Sequence, residues 1–397
     1  MRSEFLAFSP PAIDDAEIDA VVETLRTPWI TTGPRTKEFE EAFAAYIGTS
    51  SALAVSSCTD AMLIALAALD LGPGDAVFAP TMTFAATINV IEHLGAEAIL
   101  IDCDPVTLNM DTTSLRSEVE RVLVEGRLRP AAIMPVHYSG RPVDMTEVID
   151  LARAHSMAIV EDAAHALPAS HDGRLVGSPI AGVTWATAFS FYATKNLCTA
   201  EGGMLTGSDD LLEEAALWRL HGMSRDAWNR YGKGGTWYYE IVRPGYKCNM
   251  TDIQAAMGLV QLAKLDQFQV RRREVVDTYR DALGTHPAFQ IPADDDDRFS
   301  SAWHLYPLRL NLDTLSIDRD RFIEEMTARN IGTSVHFIPI HFHPWFQKRY
   351  GFTESSFPVA AGEFHRIMSL PLHPTLSDSD IADVTGAAIE IAEKFAR

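Results

Sequence analysis

A lysine closely follows an apolar strand in Phe189-Ser-Phe-Tyr-Ala-Thr-Lys195-Asn, and a turn, Glu201-Gly-Gly203, leads into another apolar run. Upstream, Ala158-Ile-Val-Glu-Asp162-Ala-Ala-His165 places an aspartate at the C-terminal end of a buried strand. That is the edge where open α/β sheets hold ligands. Taken alone, each residue has a plainer reading: Lys195 as a surface lysine, Asp162 as a cap or loop anchor. Taken together they point to pyridoxal phosphate. A lysine amine forms a Schiff base with the aldehyde of that cofactor, and a carboxylate opposite the ring nitrogen keeps the nitrogen protonated. The protonated ring is the electron sink that stabilises a carbanion at the amine carbon.

Such a cofactor needs donors for its phosphate. Val55-Ser-Ser57-Cys58-Thr59 runs from a strand into a helix, so the first helical amides and the Thr59 hydroxyl can meet a phosphate there. The plainer alternative is Thr59 as an ordinary N-cap. Ser190 is a further phosphate donor, and Phe84, after the next strand, is placed either to stack on the ring or to join the core. His341-Phe-His343 has alternating spacing but no nearby carboxylate or cysteine cluster, so a structural role is expected and no metal site. No G-x-G-x-x-G joins a strand to a helix, which disfavours a nicotinamide dehydrogenase.

The elements that position these residues are legible as short apolar strands alternating with helices from Ser51 onward. Strands are expected at Ala52–Val55, Ala76–Ala79, Ala98–Ile101, Ala131–Val136, Met157–Val160, Ala186–Phe191 and Met204–Thr206. Helices are expected to start near Thr59, Thr83, Thr113 and Thr146. This alternation implies an α/β fold with a mainly parallel sheet covered on both faces. An earlier helix carries Ile18, Val21, Val22 and Leu25 on one face, and Trp29–Pro34 reads as a loop. A long helix from near Thr251 bridges to a smaller mixed domain. In that domain His304–Leu312 and Ser334–Ile338 are strand-like, Asp318–Asn330 and Leu376–Phe395 are helical, and Asp294–Asp297 is a solvated loop. The expected division is 1–255 and 256–397.

Composition narrows the function. The 397 residues carry 33 Lys+Arg against 54 Asp+Glu, a formal charge of −21, which argues against nucleic acid as a partner. The chain is long enough to bury a large core without staples. Its four cysteines are scattered with no C-x-x-C, as expected in a reducing cytoplasm. The N-terminus lacks the apolar core of a signal peptide, and no apolar run approaches the roughly 18 residues of a membrane span.

The chain resembles the DegT/StrS family of pyridoxal-phosphate sugar aminotransferases. The resemblance rests on Trp29–Pro34, Pro135-Val-His-Tyr-Ser-Gly140, Glu161–Ala166, Ser190–Asn196, Glu201–Gly203, Gly245-Tyr-Lys-Cys-Asn-Met-Thr-Asp-Ile-Gln-Ala-Ala256 with Thr251 within it, and Ser369-Leu-Pro-Leu-His-Pro374, in the family's order over nearly the whole chain. It implies a fold-type I architecture with a seven-stranded sheet. Lys195 would be the Schiff-base lysine, Asp162 the ring-nitrogen partner, and His165 the neighbour of the phenolic oxygen. Phe84 would stack on the ring, and Ser57, Cys58, Thr59 and Ser190 would hold the phosphate. Lys247 and Asn249 would reach the phosphate of a neighbouring subunit in a homodimer with shared sites. Thr31, His221 and His336 would lie on the substrate side.

Two departures stand out. Cys58 replaces a frequent glycine, which raises the question of loop geometry, and Lys247 replaces a frequent asparagine. With Leu220–Trp228 and His165, Lys247 resembles the lipid-A arabinose aminotransferase branch. The implied reaction moves the amine of glutamate to C4 of a dTDP- or UDP-linked 4-keto-6-deoxy sugar, the cofactor alternating between its PLP and PMP forms. The alternatives are a 3-aminotransferase and a non-catalytic regulatory protein on the same fold. The related 3-dehydratases replace the lysine by histidine, whereas Lys195 is present.

Overall fold

The computed structural model describes residues 2–224 and 238–397; residues 225–228 of the Leu220–Trp228 motif lie outside them. The N-terminal half runs α1 (Asp15–Leu25), α2 (Pro34–Ile47), β1 (Ala52–Val55), α3 (Cys58–Ala68), β2 (Asp75–Pro80), α4 (Ala85–His93), β3 (Glu97–Ile101), α5 (Thr112–Glu125), β4 (Arg129–Ile133), α6 (Met145–His155) and β5 (Ala158–Asp162). A short pair follows, β6 (Ser170–His171) and β7 (Arg174–Leu175), then β8 (Trp185–Ser190), β9 (Gly203–Gly207), α7 (Asp209–Arg219) and the long α8 (Asp252–Leu283). The rest is β10 (Phe289–Gln290), β11 (Phe299–Ser300), β12 (Tyr306–Leu310), α9 (Arg319–Thr327), α10 (Pro344–Tyr350), α11 (Pro358–Phe364), β13 (Ile367–Leu370) and α12 (Asp378–Lys394).

The large sheet has the order β1-β9-β8-β5-β4-β2-β3. Only β9 runs against the others, pairing antiparallel with both β1 and β8. Helices cover both faces, so β2 and β5 are buried along their whole length. Parallel direction brings the C-terminal ends of β1, β5 and β8 to one edge, and the reversed β9 brings its N-terminal Gly203 to the same edge. There Gly203 sits between Val55 and Ser190.

A second sheet, β10-β12-β13, is antiparallel and packs with α9 and α12 around a separate core. Helix α8 serves both. Ala255, Leu262 and Leu265 enter the core beside the large sheet, and Val275, Val276, Tyr279 and Leu283 enter the C-terminal one. Leu6 also enters the C-terminal core, bridging to Ile331.

Several expectations are corrected. Ser334–Ile338 forms no strand; it makes a single bridge, Ser334 to Ser369. The cap of α3 is Ser57, whose hydroxyl accepts from the Asp60 N–H, so Thr59 is not the cap. The acidic run is not wholly solvated: Asp295 accepts from Ser301 N–H (2.9 Å) and Trp303 Nε1 (3.1 Å) and pairs with Arg273 (3.0 Å). In α1 the apolar stripe points outward. Ile18, Val22 and Leu25 are exposed, while Glu17 is buried against Lys264 (2.8 Å) and Gln261 (2.7 Å) of α8.

Candidate active site

The shared strand edge opens on a cavity of about 560 Å³, within the size range of small-molecule sites. Asp162 closes β5 and lies on its floor. Its Oδ2 accepts from the Thr87 hydroxyl at 2.7 Å, and its Oδ1 accepts from the Ala164 N–H at 3.1 Å. The Cys58 thiol lies 3.9 Å from Oδ1 and 3.4 Å from the Ala188 carbonyl oxygen. Burial, reinforced by the Asp162 carboxylate, holds that thiol well above its usual pKa, so it is protonated.

Lys195 faces the same cavity. Its segment turns back at once after β8, with the Lys195 N–H donating to the Tyr192 carbonyl at 2.8 Å. Burial lowers the ammonium pKa to about 8, against the opposing pull of Cys58 and Asp162. Near neutral pH the amine is still mostly the ammonium, but a far larger share of it is the neutral nucleophile than in a free lysine.

The end of the cavity expected to take the phosphate is built from α3. The first N–H groups of a helix have no intrahelical acceptor. Ser57 takes that of Asp60, leaving those of Cys58 and Thr59 at the cavity edge beside Ser190. Cys58 begins α3 with helical backbone, so the loop needs no positive φ there and the departure from glycine introduces no strain. The glycine requirement lies at Gly203. A Cβ there would meet Ser57 C at 2.6 Å and Cys58 N at 2.7 Å. Phe84 caps α4 without a side-chain bond and stands exposed at the cavity mouth.

Rings line another wall. His165 stacks on Phe337 at 5.6 Å and lies 4.5 Å from the His304 ring; His336 stacks on Phe8 at 5.5 Å. Burial and the Lys195 ammonium hold His165 and His304 well below the usual imidazole pKa and bring His336 to about 4, so all three are neutral. His165 Nδ1 is buried with no partner among the described residues.

The remaining site candidates gather elsewhere, beyond the end of β1. Asn249 bridges to Val55 and donates to Thr32, and Lys247 donates to Asn249. The His221 N–H donates to the Tyr246 carbonyl at 2.6 Å, and Thr31 O accepts from Asp252 N–H at 3.1 Å. Thr31, His221 and Lys247 are exposed and none of these four lines the cavity. The sequence reading missed Thr87 and His304. Thr87 lies one helical turn after Thr83, the only local signal; His304 opens the predicted strand His304–Leu312 and had none.

The residues present fit pyridoxal phosphate: a buried lysine amine, a hydrogen-bonded carboxylate on the floor, open helix amides and an unpartnered imidazole nitrogen at one edge. Comparison with known proteins agrees. The pattern of the DegT/DnrJ/EryC1/StrS aminotransferase family matches residues 11–388. The spore coat polysaccharide biosynthesis protein SpsC of Bacillus subtilis strain 168 is 44% identical over 394 residues, 99% of this chain and 98% of that protein. Spr1654 of Streptococcus pneumoniae, described as a candidate sugar aminotransferase, superposes in its PMP form with TM-score 0.88 at 34% identity, covering 98% of this chain and 99% of that one; it is also solved in a PLP form. Helicobacter pylori PseC, an aminotransferase involved in pseudoaminic acid biosynthesis, superposes with TM-score 0.88 at 28% identity, covering 99% of this chain and 100% of that one. With its strand-edge lysine and aspartate in place, the chain belongs to the DegT/DnrJ/EryC1/StrS aminotransferase family and is a pyridoxal-phosphate-dependent aminotransferase.

Proposed function

We propose that this chain transfers the amino group of glutamate to a dTDP- or UDP-linked 4-keto-6-deoxy sugar, giving a 4-amino-4,6-dideoxy sugar. The observation that carries the reading is the placing of Lys195 and Asp162 in one cavity with a wall of neutral imidazole and phenyl rings. Such a wall suits a sugar, which offers apolar C–H faces to rings and hydroxyls to uncharged nitrogens.

When bound, pyridoxal phosphate supplies an electron sink for the carbon that loses or gains the amine. Lys195 Nζ takes the proton from the amine-bearing carbon of glutamate and returns one to C4 of the sugar. Asp162 keeps the ring nitrogen protonated. Ser57, Cys58, Thr59 and Ser190 would bind the phosphate, Phe84 would stack on the ring, and His165 and His336 would serve the phenolic oxygen and the sugar.

The working unit is a homodimer with shared sites. Lys247 and Asn249 complete the phosphate shell of the neighbouring chain, and Thr31 and His221 reach its substrate. The clustering of these four outside their own cavity supports this, as does the outward apolar stripe of α1. Four buried, unbridged cysteines suit a cytoplasmic setting, and among the described residues no helix is long and apolar enough to cross a membrane.

The test is incubation with glutamate and a panel of nucleotide-linked 4-keto and 3-keto sugars, with the aminated carbon assigned by NMR. Amination at C4 supports the reading. Amination at C3, or turnover of 3-keto sugars only, replaces it with a 3-aminotransferase.

A further inference from the structure

Behind the cavity wall, a set of unusual features converges on His304. Trp303, a bulky residue, has φ of 45°, in the region that favours glycine. Such a conformation persists only where its surroundings hold it. Here the Ala302 N–H donates to Gly140 O (2.9 Å), and the His304 and Leu305 N–H groups donate to Ser139 O (3.0 and 3.1 Å). The buried Arg272 donates from Nη1 to Trp303 O (3.1 Å) and Leu372 O (2.8 Å). Asp295 holds the Trp303 indole. A Cβ on Gly140 would meet the His304 backbone nitrogen at 3.0 Å, so that turn must be bare for the two segments to approach.

The side chain that this backbone delivers makes one hydrogen bond among the described residues. His304 Nδ1 lies 3.1 Å from Asn196 Oδ1. Asn196 donates both amide hydrogens to carbonyls, Leu167 O at 3.0 Å and Ala302 O at 2.8 Å. Its oxygen therefore faces the imidazole, and the proton is assigned to His304 Nδ1. Asn196 directly follows Lys195 in the chain.

We propose that His304 is a positioning residue for Lys195. Its Nδ1–H, bonded to Asn196, clamps the peptide that carries the lysine to the rigid Ala302–Leu305 wall and so holds the amine where it meets the cofactor aldehyde. The strained Trp303 backbone and the Arg272 anchor exist in this view to set the imidazole, not to shape the core.

The test uses the full-length cofactor-free protein mixed with pyridoxal phosphate. It follows the growth of visible absorbance as the lysine–cofactor link forms, with thermal unfolding of each variant measured alongside. His304→Asn keeps an N–H at the Nδ1 position, His304→Gln moves it to the Nε2 position, and His304→Leu removes it. His304→Leu and His304→Gln are expected to link about tenfold more slowly, and His304→Asn to recover the wild-type rate. Asn196→Ala, which also frees the Leu167 and Ala302 carbonyls, is expected to link at least as slowly as His304→Leu, and the double variant no more slowly than Asn196→Ala, because the contact between His304 and Asn196 is already lost there. Wild-type linking in His304→Leu, or additive effects of the two single variants, would overturn the proposal. Should His304→Leu fail to fold, equal rates in His304→Asn and His304→Gln would overturn it.

Discussion

Thr87 Oγ1 donates to Asp162 Oδ2 across 2.7 Å, and Thr83 Oγ1 lies 2.7 Å behind it. Since the Thr87 proton goes to the carboxylate, Thr87 accepts from Thr83, and two hydroxyls in series aim one oxygen of Asp162. Thr87→Val removes the donor while keeping the shape. A hydrogen bond to a charged group is worth about 1.5–3 kcal/mol, so cofactor affinity is expected to fall by roughly tenfold or more, read by titration of the cofactor-free protein. Unchanged affinity together with an unchanged spectrum would remove Thr87 from the site.

Lys195→Ala is expected to bind pyridoxal phosphate weakly, through the phosphate and Asp162 contacts, without a borohydride-reducible link. Transamination should fall by several orders of magnitude because nucleophile and proton carrier are lost together. Near wild-type turnover would assign the chemistry to another residue.

The same lysine leaves a mark on the cofactor-free protein. Its pKa is about 8 folded against 10.5 for the free side chain. Below about pH 8 the amine is charged in both states and its burial is a constant penalty. Between about pH 8 and 10.5 the unfolded chain holds a proton that the folded chain has released, so stability rises with pH. The unfolding free energy of wild type should therefore gain on Lys195→Met by about 3 kcal/mol across that window. A gap independent of pH would mean that the amine is not desolvated.

Gly203→Ala places a methyl group against backbone atoms of Ser57 and Cys58, neither of which can rotate away. Overpacking of this kind costs about 1–3 kcal/mol. Because the displaced atoms open α3, cofactor affinity should drop along with thermal stability. A loss of stability with full affinity would separate the glycine from the phosphate site.

Shared sites are tested by complementation. Lys195→Ala and the double variant Lys247→Ala, Asn249→Ala should each be inactive alone. After subunit exchange, one of the two sites in a mixed dimer has every residue intact, and activity should return. Mixed dimers without activity would mean that each chain builds its own site.

Residues placed by a strand end are visible in the sequence, because an apolar run that stops at Ser190 or Asp162 marks its own edge. Thr87 and His304 were not, because their neighbours are 75 and 108 residues away and only the closed sheet and the C-terminal wall bring them near. The α1 pattern gave the helix and left its inward face open. Amphipathic spacing marks a stripe without saying what covers it, and Glu17, which faces inward, is buried only because Lys264 and Gln261 stand opposite. Cys58 raised a concern that vanished once the positive φ was not required.

The N-terminal segment carries a consequence for the order in which the protein is made. Leu6 docks beside Ile331, and Phe8 and Ser9 line the cavity, with Ser9 Oγ donating to Thr194 O at 3.2 Å. On the ribosome the large sheet can close once β9 has emerged, but the first ten residues must wait for the C-terminal core to seat them. His304, His336 and Phe337 arrive equally late. A nascent chain thus owns Lys195 and Asp162 long before it owns a closed cavity, and retention of the cofactor becomes a signature of finished synthesis.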